Sequence, residues 1–394
     1  MEVVALMVDN IVRDPRLLAP VQALVGELEP ALLRLARHDP RFFTDRQHPA
    51  RRLLHEITHR SIAFESVESR GFSGFMEPLR EAVAPLVQGP VPDAVADPFD
   101  TALARLAQLL DDQDAREKRQ VDRAVRALRK AQQRNALAAT LAMDVLARPE
   151  AALVPDAILD FLCGPWAQVV AHARMADRSG DADPGHYIGI VDDLLWSAQP
   201  HLTRQKVASL TRLVPKLLAQ LRAGLATIDY PAQKTSQFFE VLMQQHQRGF
   251  KPDATTAQPA QRQGRDALER RQTQLGRESA WIAPAEARAS GFIDLETPPA
   301  PLPGPVPLEG LKVGAWVALF AEGGWTRTRL CWVSENGALL LFSDALGYLQ
   351  SLARTACEGL LMAGKLRLIA EDPVEDALDA VARAAVRNSV DVRL

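Results

Sequence analysis

The chain has 394 residues, a length that predicts two or three domains and allows a sizeable buried core. Hydrophobic residues make up 47% and charged residues 24%, both average for globular proteins, which excludes wholesale disorder and a membrane protein. The formal net charge of -3 excludes a global basic field for nucleic acid or anionic lipid, so any such site must be local.

Cysteine usage and the N-terminus predict a cytoplasmic protein. Cys163, Cys331 and Cys357 lie far apart without a CxxC pair, so neither a disulfide framework nor a cysteine-rich zinc site is indicated. Glu2 stands where a secretion signal needs a basic residue. No run of about 18 apolar residues occurs, so we expect neither export nor a membrane span.

Residues 1–248 are predicted to form an all-α domain, because apolar residues recur at spacings of three and four between prolines. One stripe runs from Leu17 to Leu35, and Pro49 is predicted to start a helix that turns Leu53, Leu54 and Ile57 inward. One or two long helices are predicted between Phe99 and Ala147, where neither proline nor glycine occurs. Further helices are predicted over residues 155–175, 187–197, 203–229 and 232–246.

The composition changes after residue 248. Residues 249–307 are rich in Pro, Gln and Ala and are predicted to be a flexible linker, with a short helix over 283–291 and docking of Phe292 and Ile293. Residues 308–394 are predicted to form a small antiparallel β-barrel with a C-terminal helix. Strands are predicted over 313–320, 327–333, 338–342 and 365–369, with helices over 351–362 and 373–388 and a hairpin turn at Asn336-Gly337.

Several separated blocks carry a resemblance over the whole chain. They are His48-Pro49-Ala50-Arg51-Arg52-Leu53-Leu54, Phe161-Leu162 with Trp166, Leu194-Leu195-Trp196-Ser197, Leu213-Val214-Pro215 with Leu221-Arg222-Ala223-Gly224-Leu225, and Gly314-Ala315-Trp316-Val317 with Leu330 to Trp332. In these blocks the chain resembles the C-terminal portion of the proteobacterial family known as domain of unknown function 1631. Because its members are longer at the N-terminus, the resemblance implies that a region preceding this chain exists in longer relatives, and it implies no established activity.

The C-terminal domain resembles a degenerate PilZ domain, a small barrel that in many bacterial proteins binds cyclic di-GMP. The family's ligand motif combines two arginines with a polar strand that ends in Ser-x-x-Gly. Here Ser334 and Gly337 match that last part, Trp332 stands where the motif has Asp or Asn, and the arginines nearby are Arg327 and Arg329. The resemblance implies a cyclic dinucleotide site at Arg327, Arg329, Ser334 and Gly337.

A literal HExxH at residues 55–59 would place His55 and His59 on one helix face for zinc, with Glu56 as general base. A zinc hydrolase also needs a third ligand. Glu77 and Glu81 are candidates, but Gly71, Gly74 and Pro78 intervene and no second-helix signature frames the two glutamates. The sequence therefore favours a coincidental, exposed histidine pair. We expect no catalytic residues, metal or cofactor, and a zinc metallohydrolase stays the less favoured alternative.

Two basic segments are candidate interaction surfaces. His48, Arg51 and Arg52 lie at a predicted helix start that could contact an anion or an acidic partner, or could serve only as scaffold with the arginines paired to carboxylates such as Glu56. Residues 116–134 carry eight Lys and Arg against Glu117 and Asp122, which predicts a basic helix face. No aromatic residue is interleaved for base stacking, so the pattern disfavours nucleic acid.

These observations together favour an elongated all-α region followed by a PilZ-like barrel. The function they favour is that of a non-catalytic cytoplasmic adaptor or regulatory protein, whose helices bind a partner protein and whose barrel senses or docks. A cyclic di-GMP effector is the alternative.

Overall fold

Helices dominate the described chain up to residue 250, and a five-stranded sheet follows near the C-terminus. The computed structural model describes residues 2–89, 97–181, 183–250, 281–294, 311–321, 323–369 and 372–391. The fold class is therefore α plus β, as the sequence predicts. Most of the predicted linker, including the proline-rich 297–307, lies outside the described residues.

The chain divides into two compact units, Met1–Val125 with Ser290–Leu394 (unit 1) and Arg126–Ala289 (unit 2). The first boundary lies within the long helix α6 and the second at the end of a short helix. The predicted domain bounds 1–248, 249–307 and 308–394 stay a prediction.

The helices up to α6 are α1 (Glu2–Val12), α2 (Ala19–Glu27), α3 (Glu29–His38), α4 (Pro49–Ser61), α5 (Phe72–Gln88) and α6 (Pro98–Leu146). The predicted stripe between Leu17 and Leu35 is shared by α2 and α3, which meet at Leu28, and Pro20 and Pro30 lie in their first turns. Helix α5 contains Glu77 and Glu81 despite Pro78, so the expectation that no second helix frames them was wrong.

Unit 2 continues with α7 (Asp156–Phe161), a π-turn (Leu162–Trp166), α8 (Ala167–Ala176), α9 (Tyr187–Ser197), α10 (Pro200–Thr203), α11 (Val207–Thr227), α12 (Ala232–Phe250) and α13 (Pro284–Ser290). Trp166 is fully buried at the centre of its core. Gly224 of α11 lets the indole approach, since a Cβ there would lie 2.7 Å from the ring.

The sheet consists of β1 (Trp316–Ala321), β2 (Gly324–Val333), β3 (Leu339–Asp344), β4 (Leu349–Ala353) and β5 (Leu366–Ile369), all antiparallel, in the order β4-β3-β2-β1-β5. The hairpin at Asn336-Gly337 joins β2 to β3 as predicted. The helix predicted from Ser351 begins later, as α14 (Arg354–Met362), because residues 349–353 pair with β3. Periodicity alone does not separate a buried strand from a buried helix end.

Helix α15 (Pro373–Asp391) closes unit 1 by packing on α1 and α4. Val374, Ala377 and Val381 enter the same core as α1 to α5, and Trp316 of β1 joins them. The other face of the sheet packs on α14 and on Ile293. The predicted docking of residues 292–293 is confirmed, since Phe292 bridges to Ser351 of β4.

Candidate functional site

Helix α4 contacts α15, α6 and β1 of unit 1 through charged and histidine side chains. The start of this helix is fixed by His48. The Nδ1 atom of this buried residue accepts a hydrogen bond from the Ala50 amide at 3.2 Å, and Pro49 fills the first helical position. Its Nε2 lies 3.6 Å from an Asp39 carboxylate oxygen. His48 is therefore held as a helix cap.

Arg51, one turn further, is buried with its guanidinium against Glu375 of α15. Arg46 contacts the same carboxylate at 3.1 Å, so two guanidiniums share one acid. The expected pairing of Arg51 with Glu56 was wrong, because Glu56 accepts from Arg60 instead. Arg52 points away from this contact and is exposed.

The two histidines of the HExxH segment lie on one face of α4, with ring centroids 5.0 Å apart. His55 Nδ1 lies 3.0 Å from an Asp372 carboxylate oxygen, and His59 packs near the Trp316 indole at 5.8 Å between centroids. The expectation of an exposed histidine pair was wrong, since both rings are partly buried. Among the described residues, no group of three or more His, Cys, Asp or Glu side chains is arranged to hold a metal ion.

The two rings differ in their electrostatics. The hydrogen bond to Asp372 raises the pKa of His55, although burial opposes it. Burial lowers the pKa of His59 to about 4, and the charges of His55 and Arg329 act in the same direction. Between a pH of about 4 and the pKa of His55, the cationic His55 ring therefore stacks on a neutral His59 ring, which avoids like-charge repulsion.

Asp372 also caps the start of α15. Its Oδ1 accepts from the amides of Val374 and Glu375, at 3.0 and 3.2 Å, so it caps the helix. The hydrogen bonds from His55 and from these amides lower its pKa, although burial opposes them. One carboxylate thus joins α4 to the first turn of α15.

Arg327, a predicted ligand residue, extends from β2 into the helical part of unit 1. Its Nη1 donates to the backbone carbonyls of Arg16, Ile62 and Phe64, at 3.3, 3.0 and 3.1 Å. Burial lowers the pKa of this guanidinium. The side chain therefore satisfies carbonyls at the end of α4 and before α2.

Arg329, two residues on, borders an open cleft of about 440 Å³ between α4, α6 and β2. Its Nη2 donates to Glu117 Oε1 at 2.7 Å, and its guanidinium lies 5.8 Å from the centroid of Trp316. Across the cleft, Arg60 makes two 2.8 Å hydrogen bonds to Asp114. The cleft is lined by two internally compensated ion pairs.

Ser334 and Gly337 shape the β2–β3 hairpin. Ser334 Oγ donates to Asn336 Oδ1 at 2.8 Å and accepts from the Leu339 amide at 2.9 Å. Gly337 has a φ of +68°, the left-handed conformation that such turns require. Both residues have local turn contacts, and the structure brings neither against Arg327 or Arg329.

The predicted basic face is exposed on α6. Seven of its eight cations are exposed and form no ion pair within the described parts of the chain: Arg116, Lys118, Arg119, Arg123, Arg126, Arg129 and Lys130. The eighth, Arg134, is buried and paired with Glu286, so its assignment to the exposed face was wrong. Among the candidate sites named from the sequence, this segment has the most charged side chains without an ion pair in the described chain.

Sequence reasoning missed the acids of α15 that face α4. Their signal was present as a cluster of carboxylates at the first turn of the last helix, which the helix dipole alone could explain. In the structure Asp372, Glu375 and Asp376 also pair with His55, Arg51 and Arg16.

The comparisons with known proteins support the recognised blocks between His48 and Leu225, whereas the block from Gly314 to Trp332 lies outside the matched residues. No helix of the described chain is long and apolar enough to cross a membrane. No match was found to a curated protein or to a solved structure. The model described as "Protein of unknown function (DUF1631) 2nd domain" matches residues 1–93, and the model of the third domain matches residues 127–243. Since these matches cover more than half of its 394 residues, the chain belongs to the family of proteins of unknown function 1631.

Proposed function

We propose that this chain is a non-catalytic cytoplasmic adaptor or regulatory protein whose helical region binds a partner protein. The observation that carries the proposal is the set of seven exposed cations on α6 that have no ion pair in the described chain. Leaving so many like charges close together destabilises the helix, since neighbours three and four residues apart repel one another. An acidic partner would relieve that repulsion.

The environment of α4 supports the same proposal. Its reactive-looking side chains are engaged within unit 1, where His55 contacts Asp372, Glu56 accepts from Arg60, and Arg51 pairs with Glu375. A general base needs a lone pair directed at its substrate, and the Glu56 carboxylate is directed at Arg60. His55 keeps Nε2 free, but no group of three or more His, Cys, Asp or Glu side chains surrounds it among the described residues. These contacts favour a scaffold role for α4 and leave binding to the exposed surface.

The test compares three forms of the full chain in affinity purification from nuclease-treated extract of the source cells, with recovered proteins identified by mass spectrometry. One form is wild type, and the second carries Arg119→Glu, Arg123→Glu and Arg126→Glu. The third is a matched control, Arg80→Glu, Lys206→Glu and Arg212→Glu, which changes the same charge at exposed positions outside α6.

We expect a specific protein to be recovered with the wild type and the control but lost with the α6 variant. Recovery of that protein by all three forms would refute α6 as the docking surface. Recovery only from a parallel extract without nuclease, and not from the nuclease-treated one, would refute a protein partner and indicate nucleic acid. Circular dichroism of all three forms checks that helix content is retained.

A further inference from the structure

Five of the exposed cations on α6 form a single row, the α6 stripe, which consists of Arg116, Arg119, Arg123, Arg126 and Lys130. Their spacing alternates between three and four residues. At 3.6 residues per turn these positions fall within about 80° of one another around the helix axis. With a rise of 1.5 Å per residue, the row is about 21 Å long.

The α6 stripe is not neutralised by the acids next to it. Glu117 lies on another side of the helix and pairs with Arg329. Asp122 is exposed and forms no ion pair within the described residues. The only hydrogen bond of a stripe side chain in the described chain joins Arg116 Nε to the Asp112 carbonyl of the same helix, at 3.1 Å. Among the described residues, the row therefore has no acid that compensates its positive charge.

The opposite face of this part of α6 is apolar and buried. Ala124, Leu128 and Ala131 are closed off from solvent by the protein itself. A helix that inserts into a lipid interface uses an exposed apolar face beside its cations. Since these apolar side chains of α6 are buried, its chemistry disfavours insertion into a membrane.

We propose that the α6 stripe binds an acidic α-helix of a partner protein, one that carries carboxylates at the same alternating spacing of three and four residues. In a coiled-coil pairing, positions spaced alternately by three and four residues stay along the seam between the two helices, so each cation can meet one carboxylate along the row. The phosphates of a nucleic-acid duplex wind away from a straight row, and the stripe has no aromatic residue for stacking on single strands. This inference rests on the proposed function and specifies its partner.

The experiment uses the wild-type full chain and two labelled synthetic peptides of about 20 residues, long enough to hold a helix. Both peptides have the same composition, with five glutamates and an alanine-rich remainder. In the aligned peptide the glutamates lie on one face at alternating spacing, and in the permuted peptide they are distributed around the helix. Fluorescence anisotropy measures binding at low ionic strength, and circular dichroism confirms equal helicity.

We expect the aligned peptide to bind about tenfold more tightly than the permuted peptide, because exposed ion pairs at helical spacing each contribute a factor of about 1.5 to 2. Its affinity falls as salt is added, since exposed charges are screened. The variant Arg119→Glu, Arg123→Glu, Arg126→Glu loses this preference and gains binding to an aligned peptide with lysines in place of the glutamates. The control Arg80→Glu, Lys206→Glu, Arg212→Glu keeps the wild-type preference.

Equal binding of the two peptides, or no binding of either, would overturn the acidic-helix inference. Neither result would contradict the proposed function, because the affinity purification tests separately whether any protein binds to α6. A DNA duplex of matched charge that binds more tightly than the aligned peptide would overturn the inference in favour of nucleic acid. In that case the proposed protein partner would fail as well.

Discussion

The buried ion pair between Arg134 of α6 and Glu286 of α13 is expected to stabilise the packing of residues 281–290 within unit 2. Its contribution to the free energy of unfolding can be measured. The Arg134 side chain is 2% exposed, and its Nη1 lies 2.5 Å from Glu286 Oε1. Its Nε donates to Gln168 at 2.9 Å, its Nη2 donates to the Trp281 carbonyl at 3.0 Å, and its guanidinium stacks 4.6 Å from the Trp281 ring centroid. The Glu286 carboxylate also accepts from the Ala283 amide at 3.0 Å, which caps α13.

Replacing Glu286 with leucine leaves a buried guanidinium without its counter-charge. Removal of one partner from a buried ion pair costs about 3–5 kcal/mol, so we expect Glu286→Leu to lower the local free energy of unfolding by an amount in this range. The variant Arg134→Met removes the cation instead and strands both the Glu286 carboxylate and the Gln168 oxygen. Its expected cost is similar.

The double variant Arg134→Met, Glu286→Leu separates the charge effect from simple packing loss. It strands no charge. Gln168 Oε1 still loses its donor, at about 1–3 kcal/mol, whereas the Trp281 carbonyl keeps the hydrogen bond from Asn135 Nδ2 at 3.0 Å. We therefore expect the double variant to cost less than the sum of the single variants by about 2 kcal/mol or more.

Hydrogen exchange measured by mass spectrometry on the full chain is the appropriate assay, because it reports the opening free energy of residues 281–290 separately from that of the rest of the chain. Global unfolding is less suitable since two compact units need not unfold in one step. A double variant whose cost equals the sum of the single costs would refute the argument that the stranded charge dominates. If the hydrogen-exchange rate of residues 281–290 were the same in Glu286→Leu as in the wild type, the ion pair would not stabilise this segment.

Three further predictions concern unit 1. Because the pKa of His55 is raised, its stabilising contact with Asp372 is fully present below the ordinary histidine pKa of about 6.5 and is lost as pH rises through the raised value. We expect the destabilisation caused by His55→Gln to shrink with rising pH in thermal melts, and a pH-independent difference would contradict this. Gly291→Ala should lower Tm far more than Gly364→Ala. Both residues have positive φ, but only at Gly291 would a Cβ meet a backbone oxygen, at 1.9 Å. Equal shifts in Tm would contradict this prediction. Arg327→Met should lower Tm without any nucleotide present, since three carbonyls lose their donor; an unchanged Tm would show that this contact contributes nothing.

The parts of the fold that the sequence predicts are those fixed by local chemistry. Pro49 lacks an amide hydrogen and its φ is preset for a first turn, so α4 begins there. Asn336-Gly337 favours the positive φ of a tight hairpin, so β2 and β3 pair around it. The boundary between β4 and α14 was predicted wrongly because residues 349–353 become a strand only through pairing with β3. That pairing is a tertiary effect with no local signal.

The contacts of the candidate site could not be predicted, because they join residues distant in sequence. Arg51 and Glu375 are 324 positions apart, and His55 and Asp372 are 317 apart. The sequence shows that each charge is present but not which opposite charge it meets. A pattern such as HExxH fixes two imidazoles on one helix face, and that much is confirmed. Whether the face meets a metal or a carboxylate depends on the element that packs against it.

The contrast between α4 and α6 bears directly on function. Both helices carry several basic side chains, but Arg51, His55 and Arg60 of α4 meet acids of α15 and α6 within unit 1. Compensated charges of this kind fix the position of one element against another and have little affinity left for a further ligand. The charges of the α6 stripe have no such internal partner in the described chain. Binding energy from electrostatics is therefore available on α6, and a search for partners should begin with acidic helices there.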